Sequence, residues 1–476
     1  MDENTELEKT AAEPEPIDFE AQREQRTEEM AALLEEKKMK QLQTLLEEVD
    51  EIEVAEFLSS LPQHRMAMVF RMLSKEQGAE VFAELDAPAQ EYIINAITDT
   101  ELGEILEEMY LDDTVDMMEE LPANVVKRVM RIATPETRAL VNQYLKYPEN
   151  SAGSIMTAEY IDLKKNMSVK QSFDRIRRIG ADRETIYTCF VTGADRKLEG
   201  VVTVKDMILS DPDAIIGTIM DDNVAFAVTT DDQEAVSQIF SDYDLLAVPV
   251  VDKENRLVGI VTVDDVIDVM EQEATEDIEI MAAITPSDHP YMQTGVLETW
   301  KNRIPWLLLL MISATFTGMI ITSFEDALAV QVALTAFIPM LMDTGGNSGS
   351  QASVTVIRSL SLGDLEFSDL LRVVWKEIRV AVLCGATLAV ATFAKVMLVD
   401  RLMMGNDEVS VLVAAVVCLT MLITVVCAKI VGCTLPMFAQ RLRLDPAVMA
   451  SPFITTIVDA ISLLIYFTIA KALLHI

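Results

Sequence analysis

Histidine is almost missing from this chain: His64, His289 and His475 are the only three in 476 residues. Histidine-based catalysis and imidazole metal sites therefore have little material. Cysteine is scarce as well. The five, Cys189, Cys384, Cys418, Cys427 and Cys433, form no C-x-x-C pair and have no histidine beside them, which argues against both a zinc site and a disulfide framework. No Ser-His-Asp, Cys-His, metal-hydrolase or Walker pattern is visible, so an enzyme is the least expected class. The first residues, MDENTELEKTAAEPEPIDFE, contain no apolar run, so no cleavable signal peptide is expected and the N-terminal part is expected to stay cytoplasmic.

Positive charge is also short, with 38 Lys and Arg against 77 Asp and Glu and a net charge of −39. From Lys301 onward 12 basic and 12 acidic residues cancel, so the whole excess lies in residues 1–300. A polyanion of this kind repels nucleic acid and attracts cations, although acidity can also serve solubility alone.

Residues 1–25 are acidic, contain Pro14 and Pro16, and lack apolar periodicity, so they read as a disordered tail. Helical spacing dominates 26–150, as in Leu42, Leu45, Leu46 and Val49. SSLPQHRMAMVFRMLS, AELDAPAQEYIINAIT and EELPANVVKRVMRIAT recur through this stretch, which predicts a superhelix of stacked helical hairpins. A second repeat follows in 151–264. Ser154-Ile-Met-Thr is echoed by Thr218-Ile-Met-Asp, and LEGVVTVKDMI (198–208) by LVGIVTVDDVI (257–267). These α/β repeats resemble a tandem CBS pair over about residues 151–272, and the resemblance implies a regulatory unit with adenine nucleotide as a candidate ligand.

Residues 265–284 contain no Gly or Pro and carry carboxylates on several faces, which predicts a long acidic connecting helix. The transmembrane domain, 285–476, holds five apolar stretches at about 305–323, 328–342, 373–399, 409–435 and 452–474. Arg358, Arg372, Lys376, Arg379, Arg441 and Arg443 fall in the loops of one side, so the positive-inside rule predicts five helices with the C-terminus outside. An odd and small number of spans suggests a pore completed by a second subunit.

Asp459 stands in the middle of the last apolar stretch. A carboxylate at bilayer depth costs about 2.5–3.5 kcal/mol on insertion scales, which makes an ion path or proton relay the default reading. Ser451, Thr455, Asp459, Ser462 and Tyr466 share one helical face, although hydroxyls can simply bond back to their own helix. Only Lys429 is in prospect as a basic partner. A pair of such carboxylates on a dimer axis would suit a hard divalent cation, which prefers oxygen ligands. Upstream, Asp343-Thr-Gly-Gly-Asn-Ser-Gly-Ser-Gln351 ends the short second stretch, and Gly345, Gly346 and Gly349 permit close backbone packing at a pore mouth, with Asn347 and Gln351 in the same run. Taken alone, the run reads as a loop.

PMLMDTGGNSGSQ (339–351), DPAVMASPFITTIVDAISLLIY (445–466) and EATEDI (273–278) together resemble the MgtE magnesium transporters over about residues 30–476. The resemblance implies a homodimeric, cation-selective protein of the cell membrane, with Asp459 as the pore carboxylate and Ser451, Pro452 and Thr455 lining the passage. It also implies a plug helix over 265–284, with Glu273, Glu276 and Asp277 binding regulatory magnesium, and Asp232, Glu234, Asp244, Asp265 and Asp268 as further acidic sensor positions. Two departures stand out: Ser451 where an Asn can occur, and Asp343 as an added carboxylate. The resulting expectation is a magnesium channel closed by intracellular magnesium. The rival is a membrane-anchored CBS nucleotide sensor without ion conduction.

Overall fold

A computed structural model describes residues 19–287, 291–292, 294–405, 408–449 and 451–475. The chain divides into two compact units, with the boundary between Val269 and Met270.

In the first unit ten helices run from Phe19 to Tyr144. Their brevity is written in their starts. Asp50, Ser74, Asp86 and Thr134 each accept a hydrogen bond from a first-turn amide, and Thr98 and Glu101 form a reciprocal capping box. The first helix, Phe19–Glu35, begins inside the stretch expected to be a tail, and residues 1–18 lie outside the described residues. Its Met30 and Leu34 are buried, so a few apolar anchors suffice to dock an otherwise polar helix. Phe57, Leu58, Phe82, Ile93 and Ile94 fill the core, which continues into Val236, Phe240, Val248, Val261 and Val266 of the second CBS repeat.

The two repeats form two three-stranded sheets of the same order. In the first, β1 (Asp162–Leu163) runs parallel to β2 (Thr188–Thr192), which pairs antiparallel with β3 (Leu198–Thr203); β4 (Ala227–Val228), β5 (Ala247–Val251) and β6 (Leu257–Thr262) repeat the pattern. Each sheet also takes a bridge from the other repeat, Thr157 to Ile260 and Asp221 to Val201. The glycine beside each bridge is explained by crowding. A methyl group at Gly259 would lie 2.7 Å from the Thr157 carbonyl oxygen, and one at Gly200 2.8 Å from that of Asp221.

The acidic helix, Val263–Met281, is one continuous helix, as expected. Among the described residues of the second unit four stretches, not five, are long and apolar enough to cross a membrane: Val296–Ser323, Phe367–Met403, Val411–Arg441 and Pro446–Leu474. The expected span at 328–342 is broken into a short helix, Glu325–Val330, a 3-10 turn, Val332–Phe337, and the first turn of a helix, Ile338–Ser361. That 24-residue helix contains the whole Asp343–Gln351 run, which is therefore helical and not a loop. Its glycines, serines and amides dilute its apolar character, which is why it fails as an apolar span. Leu334, Phe337 and Leu341 pack with Val413, Val417, Leu463 and Phe467 in the core of the unit.

Candidate functional site

Glycine is a poor helix former, costing about 1 kcal/mol per residue against alanine, so three in one helix need a reason. The reason here is backbone proximity. Gly345 faces Val458, Ser462 and Thr424, Gly346 faces Thr455, and Gly349 faces Ile454 and the Ala428 carbonyl. A methyl at Gly432 on the helix Val411–Arg441 would come within 2.2 Å of the Gly349 carbonyl oxygen. Small residues on both sides thus let three helices approach closely, a usual solution where no hydrophobic force drives helices together. Gly432→Ala should cost about 1–3 kcal/mol or more by overpacking, read as a lower melting temperature in detergent. Gly318→Ala, in the helix Val296–Ser323 with nothing within 4 Å of the added methyl, should not lower that temperature and should raise it slightly through helix propensity.

This packing sets Asp459, on the terminal helix Ser451–Leu474, beside the Gly-Ser helix. The Asp459 Oδ1 atom is buried and accepts no hydrogen bond from the described residues. The charge that acts on it is Asp343, whose own Oδ1 accepts a hydrogen bond from Asn347 Nδ2 at 3.1 Å. Two carboxylates and an amide thus share one region, and all their free atoms but the amide nitrogen are oxygen acceptors. That donor set suits a hard, partly hydrated divalent cation.

The polar face expected on the terminal helix is only partly available. Ser462 donates to the Val458 carbonyl at 2.6 Å, and Tyr466 to the Leu334 carbonyl at 2.9 Å; both are buried and engaged. Thr455 faces Gly346, and the Pro452 carbonyl accepts from Thr456 at 3.0 Å. The side chain of Ser451 lies outside the described residues. Lys429 does not pair with Asp459: its ammonium lies 3.6 Å from Glu377.

Acidic positions outside the bundle fall into separate groups. On the second half of the acidic helix, Ser361 donates to Asp277 at 3.2 Å, and Ile280 and Met281 pack against Ile357 and Ala447. Burial and the neighbouring Asp445 raise the Asp277 carboxyl above its usual range, against the opposing pull of Ser361 and Arg358. Asp445 opens the DPAVMASPF motif, and sequence reasoning missed its pairing with Asp277. Glu273 is half-buried and Glu276 exposed on the same helix.

In the CBS pair, Asp232 caps the helix Gln233–Tyr243, accepting from the Glu234 amide at 2.9 Å, and Asp244 ends that helix with φ of 51°. Those roles are local. Asp265 accepts from Thr262 at 2.6 Å and stands among carboxylates that sequence did not single out: Asp112 and Asp113 from the helix Leu111–Glu120, with Glu159 and Glu184 from the first repeat. Asp112 is 8% exposed, and both its Oδ1 and Glu184 Oε2 are buried without a hydrogen-bond partner among the described residues. Burial, then the charges of Asp113 and Asp265, holds Asp112 well above the usual carboxylate range. Burial and Asp265 push Asp113 up to about 6 and Glu184 to about 7. Asp268 adds its charge to Glu84, whose carboxyl is raised chiefly by burial. Among the described residues no three Cys, His, Asp or Glu side chains stand in a geometry that would hold a bare metal ion. The orphaned oxygens nevertheless form an all-carboxylate donor set, which fits a cation carrying part of its water shell.

The profile of the MgtE family, described as divalent cation transporters, matches residues 338–469; that of the MgtE intracellular N domain matches 49–150, and that of the CBS domain 216–272. The magnesium transporter MgtE of Thermus thermophilus is 35% identical over 446 residues, covering 93% of this chain and 97% of the relative. The Bacillus subtilis magnesium transporter MgtE is 31% identical over 443 residues, with 93% and 96% covered. A crystal structure of the soluble part of a magnesium transporter, 29% identical, covers 53% of this chain and 99% of its own, with a TM-score of 0.50.

Proposed function

The chain belongs to the MgtE family, and from that premise we propose that it carries magnesium across the membrane through a path that passes Asp459. The observation that carries this reading is the buried, unpartnered Asp459 oxygen beside a second carboxylate, in a helix otherwise apolar enough to span a bilayer. A bare carboxylate there is a liability unless a cation visits it.

We read the Gly-Ser helix as a further crossing, since 24 residues reach about 36 Å. Five crossings set the first unit and the C-terminus on opposite sides, and the basic residues of the loops support the reading with the first unit in the cytoplasm. Asp343, Asn347 and Gln351 are exposed along one face of that helix, which lipid would not tolerate and a second copy of the chain across a shared pore would cover. The protein thus acts as a homodimer, with Ser451, Pro452 and Thr455 along the same passage.

Closure by intracellular magnesium follows from the carboxylate groups. Ions shared by Asp112, Asp113, Glu184, Asp265 and Asp268, with a second station at Glu273, Glu276, Asp277 and Asp445, would offset the repulsion of the compact state and favour it over an expanded one. Only a difference in affinity between the two states can shift the balance. The test is magnesium flux into proteoliposomes with luminal and external magnesium set independently. Flux should fall as magnesium rises on the side of the cytoplasmic unit, and the variant Glu273→Gln, Glu276→Gln, Asp277→Asn should keep flux while losing much of that inhibition. Absence of flux with intact adenine-nucleotide binding would favour a nucleotide sensor instead.

A further inference from the structure

A second ionisable pair lies inside the membrane unit, apart from Asp459. Lys429, on the helix Val411–Arg441, is 5% exposed, and its ammonium stands 3.6 Å from Glu377 on the helix Leu370–Lys395. That separation is too long for a good hydrogen bond. Glu377 Oε2 is buried and accepts none from the described residues. Such a pair is weak as a staple, because both charges are desolvated and neither is saturated by hydrogen bonds.

The space beside it explains the loose geometry. A cavity of about 680 Å³ is lined by Asn347, Ser350, Gln351, Thr355, Glu377 and Lys429, among others. An open recess of this size admits water, and beside apolar Val354 and Val380 its lining offers hydroxyl, amide and carboxylate oxygens. Asn347 joins it to the first site, since the same side chain donates to Asp343. Asp343, Asn347, Gln351 and Thr355 follow one another at four-residue spacing on one helix face. A continuous polar track therefore leads from the two aspartates to Glu377.

We propose that Glu377 is a second ion station on this track, and that Lys429 is a positioning residue which keeps the affinity of Glu377 for magnesium low enough for the ion to leave. This rests on the transport reading. Conduction needs sites strong enough to admit an ion and weak enough to release it. An unopposed carboxylate with a buried oxygen at this point would hold a divalent cation tightly; an ammonium at 3.6 Å opposes it without filling the recess.

The experiment compares wild type, K429M, K429R, E377Q and the double variant K429M/E377Q in proteoliposome flux assays over a range of magnesium concentrations. K429M should lower the half-saturating magnesium concentration on the order of tenfold and lower maximal flux with it, because the ion leaves slowly. K429R should stay near wild type. E377Q, which leaves the ammonium unopposed, should depress flux at all concentrations, and the double variant should recover maximal flux at a half-saturating concentration above that of wild type, because the station carboxylate is gone. Unchanged half-saturation in K429M, or in the double variant relative to K429M, would overturn the proposal, whatever happens to melting temperature. If K429M does not assemble, a double variant with wild-type half-saturation and flux would overturn it as well, whereas restored flux at shifted half-saturation would support it. Wild-type flux that Asp459→Asn abolishes is measured first; its absence would be a failure of the transport reading and not of this one.

Discussion

Replacing Asp459 by asparagine is expected to abolish magnesium uptake while leaving a folded, assembled protein. Asparagine keeps the shape and one acceptor oxygen, so what the change removes is charge. Between a divalent cation and a carboxylate about 4 Å apart, the attraction is about 8 kcal/mol at an effective dielectric of 20. Desolvation of the ion cancels much of that, but each 1.4 kcal/mol retained is about tenfold in occupancy. A loss of flux on the order of a hundredfold or more should follow. Assembly should survive, because Asp459 Oδ1 supports no hydrogen bond whose loss would destabilise the helix. Flux from proteoliposomes, read beside a melting curve of the same preparation, separates the two effects. Normal conduction by Asp459→Asn would remove Asp459 from the path. Asp343→Asn is the milder companion: this carboxylate, already partnered by Asn347, should matter by a few-fold, through the local cation concentration that it supports.

What was legible in the sequence followed from periodicity and repetition. The helical repeats announced their own boundaries through Leu61-Pro62, Leu85-Asp86 and Leu121-Pro122, and the structure starts helices at each of these points. The repetition of LEGVV and LVGIV was legible, whereas the carbonyl that lies against each of their glycines appears only in the fold. The Gly-Ser run misled because helix propensity speaks only of an isolated chain. Its glycines are destabilising alone and become favourable once Gly432 and Thr455 sit against them, a tertiary fact that no local pattern contains. Ser462 and Tyr466 shared a face with Asp459, but spacing cannot say which hydroxyls are already bonded. Lys429 and Glu377 are more than fifty residues apart; sequence offered Lys429 only as a partner for Asp459 and did not single out Glu377, and only packing joins them. The same holds for Asp112 and Glu184, two carboxylates among the 77 of the chain until the fold brings them beside Asp265.

That last group carries the second large expected effect, on stability and gating together. The charges that act on Asp112, Asp113 and Glu184 come from Glu84, Glu159, Asp264, Asp265 and one another, and every one is a carboxylate. Their raised folded-state values mean that the compact first unit holds protons which a separated or unfolded chain releases. Stability is therefore greatest below the usual carboxylate range, near pH 4, and is lost as pH rises through about 6 for Asp113 and about 7 for Glu184. In chelator, the melting temperature of the first unit within the full-length protein should fall by several degrees between pH 5 and pH 8, since coupled shifts of this size correspond to a few kcal/mol at most. Magnesium should restore the loss at pH 8 and do little at pH 5, where protons already neutralise the cluster. Asp112→Asn with Asp113→Asn should flatten the pH dependence and stabilise the chelated protein. It should also hold the path closed at magnesium concentrations that open the wild type, because the repulsion among the carboxylates of the first unit is then partly gone. A double variant with a wild-type pH profile and wild-type closure would show that magnesium acts elsewhere, with Asp277 and Asp445 the next pair to neutralise.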